Sequence, residues 1–232
     1  MKKTLLALAV AAALVPSLAM AEAGDIVVRL RATSVRPDTS STLGATTQAT
    51  TSYTNTQMTN LYGTDGNAAT LHVDNNTIPE VDFSYYITKN IAAELILATG
   101  TRHDVSISGS SGAYANHNLG SVNLLPPTLT AQWHFNPDQT IDPYVGAGVS
   151  YVRAMDRGLN YGGGVPIQIS RSSWGPAIQA GVDYNLPESK WLLNFDVKKI
   201  WFDTTVTYQG VGKIDQLDID PWVVSVGFGR KF

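Results

Sequence analysis

Apolar and polar residues alternate in eight segments of the chain. In two neighbouring segments, Phe83 and Leu95 fall in the apolar sets, whereas Asp82 and Glu94 fall in the opposite sets. A period of two residues places successive side chains on opposite faces of a β-strand. The pattern therefore predicts an all-β protein with eight strands, at about residues 26–35, 78–87, 92–108, 119–135, 143–153, 178–184, 193–198 and 222–232.

The last predicted strand has two faces of different chemistry, and the chain stops on an aromatic residue. Trp222, Phe228 and Phe232 share one face with Arg230, while the other face is mostly small or polar. The pattern is typical of the closing strand of an outer-membrane β-barrel, with Phe232 as the signal for the barrel-assembly machinery. We expect Arg230 to lie near the membrane edge, where a long side chain reaches water. A strand of a soluble β-sandwich is the alternative for this stretch alone.

The connections between the predicted strands alternate in length. Those at Thr88 to Asn90, Asn136 to Asp142 and Leu186 to Lys190 are short, whereas the others are long or rich in Gly, Ser and Thr, above all residues 38–76. Aromatic residues such as Tyr184 recur where the apolar faces end. Both features favour a membrane barrel over a sandwich. The prediction is an eight-stranded antiparallel transmembrane β-barrel with short periplasmic turns and long extracellular loops.

The first residues have the organisation of a secretory signal peptide. Lys2 and Lys3 precede an apolar run from Leu5 to Val15, and the triplet Ala19-Met20-Ala21 follows. The apolar run is too short for a transmembrane helix, which needs about 20 residues. We therefore predict a cleaved signal peptide over residues 1–21, a barrel over residues 22–232, and localisation in the outer membrane of a Gram-negative bacterium.

Composition supports this interpretation and excludes several classes of partner. Charged residues make up 15% of the chain, below the roughly 25% of soluble domains. The formal net charge is −3 at pH 7, so we expect no nucleic-acid partner. The chain has no cysteine, which excludes disulfides, thiolate metal sites and thiol nucleophiles.

The polar sets of the predicted strands should face the barrel interior. A charge inside such a confined space has to be paired, so we expect acidic and basic residues there to form ion pairs. The residues predicted to line the interior are Arg29, Arg31, Glu94, Ile96, Ala98, Gly146, Gly148, Asp183, Asp196 and Lys198. Two prolines, Pro126 and Pro127, interrupt the fourth predicted strand. They cannot donate ladder hydrogen bonds and therefore mark a bend or a weak point in the wall.

The sequence gives little support for catalysis. The four histidines lack metal-ligand spacing, and no Gly-x-Ser-x-Gly motif is present, so we expect no metal site, no cofactor and no enzyme. His103-Asp104 is a candidate for half of a catalytic dyad, but a histidine at the rim explains it better. Glu94 and Asp183 are candidates for paired acid and base carboxylates, although ion pairing with Arg29, Arg31 or Lys198 is the better explanation.

Blocks along the whole predicted barrel resemble the outer membrane protein W family, which includes the alkane-import protein AlkL. The blocks are Ala23-Gly24-Asp25, Val35-Arg36-Pro37, the run from Thr88 to Leu95, Arg102-His103, the run from Leu125 to Leu129, the run from Pro143 to Gly148, the run from Ser173 to Tyr184, and Asp220-Pro221-Trp222. The resemblance implies an eight-stranded barrel with a narrow, partly apolar channel for small hydrophobic molecules. The Thr-rich stretch at residues 38–76 departs from the family pattern.

Three classes of function remain open at this point. The first is a small channel for apolar solutes, with lipid and lipopolysaccharide around it and a lateral exit through the wall at Pro126 and Pro127. The second is a structural or adhesive surface barrel whose long first loop binds a host, a phage or another partner. The third, an outer-membrane enzyme, has the least support from the residues.

Overall fold

The computed structural model describes residues 22–43, 69–108, 117–161, 165–210 and 212–232. The predicted signal peptide and most of the long first connection lie outside these residues. In the described part of the chain, no helix has the length and apolarity that crossing a membrane requires.

The strands of the described residues are numbered in chain order. They are β1 (Ile26–Arg36), β2 (Ser40–Ser41), β3 (Thr70–Val73), β4 (Asn76–Tyr86), β5 (Ile91–Ala98), β6 (Thr101–Ser108), β7 (Asn118–Leu125), β8 (Thr128–His134), β9 (Ile141–Asp156), β10 (Gly158–Tyr161), β11 (Val165–Ile169), β12 (Ser172–Asn185), β13 (Trp191–Ile200), β14 (Asp203–Tyr208), β15 (Gly212–Asp218) and β16 (Trp222–Lys231).

Eight of these strands form a closed antiparallel barrel, as predicted. The order around the wall is β1-β4-β5-β8-β9-β12-β13-β16. The last strand then pairs with the first, from Val27 opposite Lys231 to Arg36 opposite Trp222. Closure leaves the barrel without unpaired edge strands, which a sheet in lipid requires.

The two faces of the wall match the predicted alternation. Large apolar side chains point outward and are exposed, for example Phe83 at 42%, Leu95 at 41% and Phe195 at 45%. Alternate residues point inward and are buried, including charged residues such as Arg29 and Glu94. An apolar outside and a polar inside is the arrangement of a barrel surrounded by lipid.

Arg230 is an exception to the predicted faces. The side chain belongs to the outward set but is only 5% exposed. Its guanidinium carbon lies 5.5 Å from the ring centroid of Trp191 and 5.2 Å from that of Phe232. The expectation that Arg230 reaches water is therefore wrong, because two aromatic rings cover the cation and interact with it favourably.

Short and long connections between the strands lie at opposite ends of the barrel. The short turns, which link β4 to β5, β8 to β9 and β12 to β13, lie at one end, called here the turn end. The four long connections lie at the other, the loop end, and contain the remaining strands. There β7, β6 and β3 extend the sheet from β9, and a second sheet has the order β10-β11-β14-β15-β2.

Of these loop-end strands, β6 and β7 overlap the predicted segments 92–108 and 119–135. The others, β2, β3, β10, β11, β14 and β15, lie in connections where no strand was predicted. The inward side chains of the loop-end strands are apolar and form one buried core, which includes Leu71, Ile107, Leu119, Leu159, Ile167, Val206, Tyr208, Ile214 and Leu217. The barrel interior therefore changes along its axis, from polar within the closed wall to apolar at the loop end.

Candidate functional site: the barrel interior

A network of ion pairs fills the middle of the barrel. Arg29 on β1 is fully buried and places its Nη2 atom 2.5 Å from Asp183 Oδ2 and its Nη1 atom 3.0 Å from Asp82 Oδ1. The same Nη1 donates to Ser84 Oγ at 2.6 Å. These bonds join β1, β4 and β12 across the interior. Arg29 thus holds opposite parts of the wall together.

Arg31 extends this network by one layer towards the loop end. Its Nη2 atom lies 2.6 Å from Glu80 Oε1, its Nε atom 3.0 Å from Asp82 Oδ2 and its Nη1 atom 3.6 Å from Glu94 Oε1. Gln179 Nε2 donates to the other oxygen of Glu94 at 2.7 Å. Glu94 and Asp183 are therefore ion-paired, as expected. We call the buried charged groups around Arg29 and Arg31 the plug.

Asp196 and Lys198 complete the charged interior. Tyr144 donates from its hydroxyl to Asp196 Oδ2 at 2.9 Å. The ammonium of Lys198 lies 3.7 Å from Asp196 Oδ1. The predicted interior residues Arg29, Arg31, Glu94, Asp183, Asp196 and Lys198 are thus all buried inside the barrel, but Lys198 pairs with Asp196 and not with Glu94.

A histidine and two carboxylates meet at the turn end of the plug. His134 Nδ1 lies 2.7 Å from Asp142 Oδ2, and one ligand atom from each of His134, Asp142 and Asp183 lies within 4.8 Å of the others. These residue types bind transition metals, but Asp183 is already bound by Arg29 and Asp142 by His134. Sequence spacing does not reveal this group, because its members come from β8, β9 and β12.

Gly146 and Gly148 face the interior but do not line open space. A Cβ atom at Gly148 would lie 1.9 Å from the backbone oxygen of Leu129, and one at Gly146 would lie 3.0 Å from Gln179 Cγ. The two glycines let neighbouring groups approach β9 closely. The expectation that they form part of the channel lining is therefore replaced by a packing role.

Gly148→Ala should destabilise the barrel by about 1–3 kcal/mol, because the new methyl group overlaps the β8 backbone. Reversible urea unfolding in detergent measures the effect. Gly158→Ala is the matched control, since no atom of the described residues lies within 4 Å of the position that its Cβ atom would take. Equal stability of the two variants would contradict the close approach of β8 and β9.

An apolar cavity lies directly above the plug, towards the loop end. It encloses an empty volume of about 620 Å³, part of which is open to solvent. Ile96 and Ala98 line it, as do Glu80 and Lys198 from the top of the plug. The remaining lining residues, which are mostly apolar, are Val35, Pro37, Val73, Ile78, Thr101, His103, Leu124, Pro126, Thr128, Val152, Ile200, Phe202, Ile219, Pro221 and Val223.

The wall beside this cavity has a break in its hydrogen-bond ladder. The pairing of β5 with β8 ends at Ile96 opposite Thr128, and the pairing of β6 with β7 begins at Thr101 opposite Leu124. Residues 97–100 and 125–127 lie between these two pairs without register partners across the gap. Pro126 borders the gap and lines the cavity. We call this break the wall gap.

His103 does not form the dyad considered from the sequence. Its side chain lines the cavity, while Asp104 is exposed on the opposite face of β6. His103 Nδ1 lies 2.7 Å from the backbone oxygen of Asp74, so Nδ1 carries a proton and donates it to that oxygen. Burial lowers the pKa of His103 below its usual range, which keeps the imidazole neutral at pH 7.

Comparison with known proteins agrees with this geometry. The model of the OmpW family matches residues 22–232. The chain belongs to the OmpW family. It is 37% identical to outer membrane protein W of Escherichia coli over 237 residues, which cover 100% of this chain and 99% of that protein. It is also 29% identical to outer membrane protein AlkL of Ectopseudomonas oleovorans, over 71% of this chain and 70% of AlkL.

The solved structures show the same fold. The crystal structure of the outer membrane protein OprG from Pseudomonas aeruginosa matches with a TM-score of 0.74 and 28% identity, over 93% of this chain and 99% of OprG. The protein is therefore a Gram-negative outer-membrane β-barrel of the OmpW family. Its turn end faces the periplasm and its loop end faces the outside of the cell.

Proposed function

We propose that the protein is a channel that takes small hydrophobic solutes from the outside into the apolar cavity and releases them sideways through the wall gap. The observation that carries this proposal is an apolar cavity that has a polar plug beneath it and a break in the ladder beside it.

The loop end supplies an apolar route into the cavity. Leu124, Phe202 and Ile219 belong both to the loop-end core and to the cavity lining. The interior is therefore apolar from the loop-end core down to the cavity, which suits a hydrophobic solute that enters from the outside. Transfer of such a solute from water onto apolar surface is favourable by roughly 25 cal/mol per Å² buried.

The plug opposes passage straight through to the periplasm. A solute on that route would have to separate buried pairs such as Arg29 with Asp183 and Arg31 with Glu80. Breaking one buried pair costs about 3–5 kcal/mol, and an apolar solute offers no replacement bonds. Passage straight through the plug is therefore unfavourable for two reasons. The protein loses buried ion pairs, and the apolar solute enters polar surroundings.

The wall gap offers a route with a smaller energetic cost. No ladder hydrogen bond joins residues 97–100 to residues 125–127, so parting these segments breaks no backbone pair between them. On the side of the proline segment that faces β9, the backbone N–H of Tyr151 donates to the backbone oxygen of Pro127 at 2.9 Å. The proline segment therefore stays attached to β9 while it can move away from β5. A solute that leaves here enters the membrane without crossing water.

Filling the cavity should stop uptake. Ala98→Trp places a large side chain in the cavity, and we expect uptake of radiolabelled nonane by Gram-negative cells that express the variant to fall to the level of cells without the protein. Ala93→Trp is the matched control, because Ala93 lies on the outward face of the same strand. Equal uptake by the two variants would contradict the proposal.

The adhesive alternative rests on the Thr- and Ser-rich residues 38–76, of which 44–68 lie outside the described residues. Deletion of residues 46–66 separates the two functions. The channel proposal requires that uptake persists in the deletion variant. Loss of attachment to host cells or phage, with uptake retained, would show that the loop has a binding role in addition.

A further inference from the structure

Lys198 differs from the other polar residues of the cavity because its hydrogen-bond donors are not used within the described part of the chain. Its side chain is 2% exposed and lines the cavity. The nearest carboxylate oxygen, Asp196 Oδ1, lies 3.7 Å away, beyond hydrogen-bonding distance. An ammonium group has three N–H donors, so Lys198 presents unused donors to the cavity.

The other polar groups around the cavity have protein partners. Glu80 is bound by Arg31 at 2.6 Å, and His103 donates to the Asp74 oxygen. Thr101 Oγ1 donates to the Leu124 oxygen at 3.0 Å, and Thr128 Oγ1 donates to Ser150 Oγ at 3.0 Å. Lys198 is therefore the group with which a bound solute would form a hydrogen bond.

The charge balance of the interior decides which kind of acceptor fits. Asp196 already serves as counter-ion to Lys198, and a second carboxylate beside one ammonium would leave a buried negative charge uncompensated. Among the described residues, the buried acidic groups of the interior outnumber the basic ones: they are Glu80, Asp82, Glu94, Asp142, Asp183 and Asp196 against Arg29, Arg31, Lys198 and Lys231. A neutral acceptor satisfies Lys198 without adding to this surplus.

We infer that Lys198 is a head-group site, and that the cavity selects neutral amphipathic solutes with an apolar body and one hydrogen-bond acceptor, such as a medium-chain ketone, ester or alcohol. This inference rests on the proposed function, because it assumes that solutes occupy the cavity. The apolar body lies along Ile96, Ala98 and Ile200, and the acceptor points down to the ammonium on top of the plug.

The test is a binding measurement on the full barrel in lipid nanodiscs. Three probes of similar length are compared: nonane, nonan-2-one with a ¹³C carbonyl, and nonanoate. Lys198→Met should weaken binding of the ketone about tenfold, the value of one hydrogen bond to a charged group, and leave nonane binding unchanged. The infrared carbonyl band of the bound ketone should shift to lower frequency in the wild type and in Lys198→Arg, but not in Lys198→Met.

Two further variants control for side effects. Lys89→Met removes an exposed lysine of a periplasmic turn and should change nothing. Lys198→Met with Asp196→Asn removes both charges, so that the test stands even if the single variant does not fold. Tyr144 still has an acceptor at residue 196 in this double variant.

The possible results distinguish failure of the inference about Lys198 from failure of the proposed function. Equal weakening of ketone and nonane in the variants, without a change in the carbonyl band, would show that Lys198 only shapes the cavity and would overturn the inference. Tighter binding of nonanoate than of the ketone would overturn the neutral-acceptor selectivity. If neither nonane nor the ketone binds the wild-type cavity, the proposed function itself is wrong.

Discussion

Replacement of Arg29 by methionine should lower the free energy of unfolding by about 3–5 kcal/mol, the cost of breaking a buried ion pair by removing one partner. Methionine keeps most of the length of the side chain but leaves Asp82 and Asp183 buried without their cation. The same change loosens the plug, so ion conductance through planar bilayers should rise. Equilibrium unfolding and single-channel recording measure the two effects.

The control for this variant is Arg102→Met, because Arg102 is exposed at the loop end. The charge of an exposed arginine contributes little to the free energy of unfolding. A double variant tests whether the uncompensated carboxylates cause the loss of stability. Adding Asp183→Asn to Arg29→Met removes one of the uncompensated charges and should restore part of the lost stability. If Arg29→Met and Arg102→Met have equal stability, the plug does not hold the barrel together.

Arginine at Leu95 or Phe195 should cost about 2–4 kcal/mol, because each change places a charge on the lipid-facing side of the wall. Leu95 is 41% exposed and Phe195 45% exposed on the outside of the barrel, and in the cell that exposed surface contacts lipid tails. The measurement is reversible unfolding in the presence of lipid.

The comparison for these variants is Gln132→Ala on the inner face of β8. Gln132 is buried in the interior, where its Oε1 atom lies 3.3 Å from His134 Nε2. Loss of one such bond costs about 1 kcal/mol. If Gln132→Ala is as destabilising as Leu95→Arg, the assignment of lipid-facing and interior faces is wrong.

Much of the barrel could be predicted from local patterns. Because the side-chain period of a strand is two, the positions of Phe83 and Leu95 determine the lipid face, and those of Asp82 and Glu94 determine the interior. The prolines at 126 and 127 also mark the break between β7 and β8 correctly. These features follow from residues that are close together in the sequence, so the sequence alone predicts them.

The loop-end strands other than β6 and β7 could not be predicted in the same way. Strands such as β10 and β15 are short and are flanked by glycines, and they lie in connections whose composition is that of loops. Their stability comes from a shared apolar core to which several connections contribute, for example Leu159, Val206 and Ile214. Such a core forms only after the barrel brings the connections together.

The ion-pair partners inside the barrel could not be predicted from the sequence either. The sequence predicts that Arg29, Asp183 and Lys198 point inward, but Arg29 and Asp183 are 154 positions apart in the chain. Only the order and stagger of the strands decide that Arg29 meets Asp183, while Lys198 lies nearest to Asp196 and borders the cavity. The packing role of Gly148 likewise depends on the path of β8.

A reversible disulfide across the edge of the wall gap tests whether solutes leave the barrel there. Thr101 and Leu124 are register partners at the loop-end rim of the gap, and both are buried. Directly paired residues of antiparallel strands have Cα atoms about 4.5–5.5 Å apart, which is compatible with a disulfide. The absence of native cysteine makes the engineered pair specific.

The measurement compares nonane uptake by cells with the Thr101→Cys/Leu124→Cys pair and with a control pair, Thr33→Cys/Ser225→Cys, whose native hydroxyls are 2.9 Å apart on β1 and β16. We expect the oxidised disulfide at the gap to abolish uptake and its reduction to restore uptake, whereas cells with the control pair should take up nonane in both states. Uptake that continues when the pair at the gap is oxidised, but increases in Arg29→Met, would rule out exit through the wall and place the route through the plug.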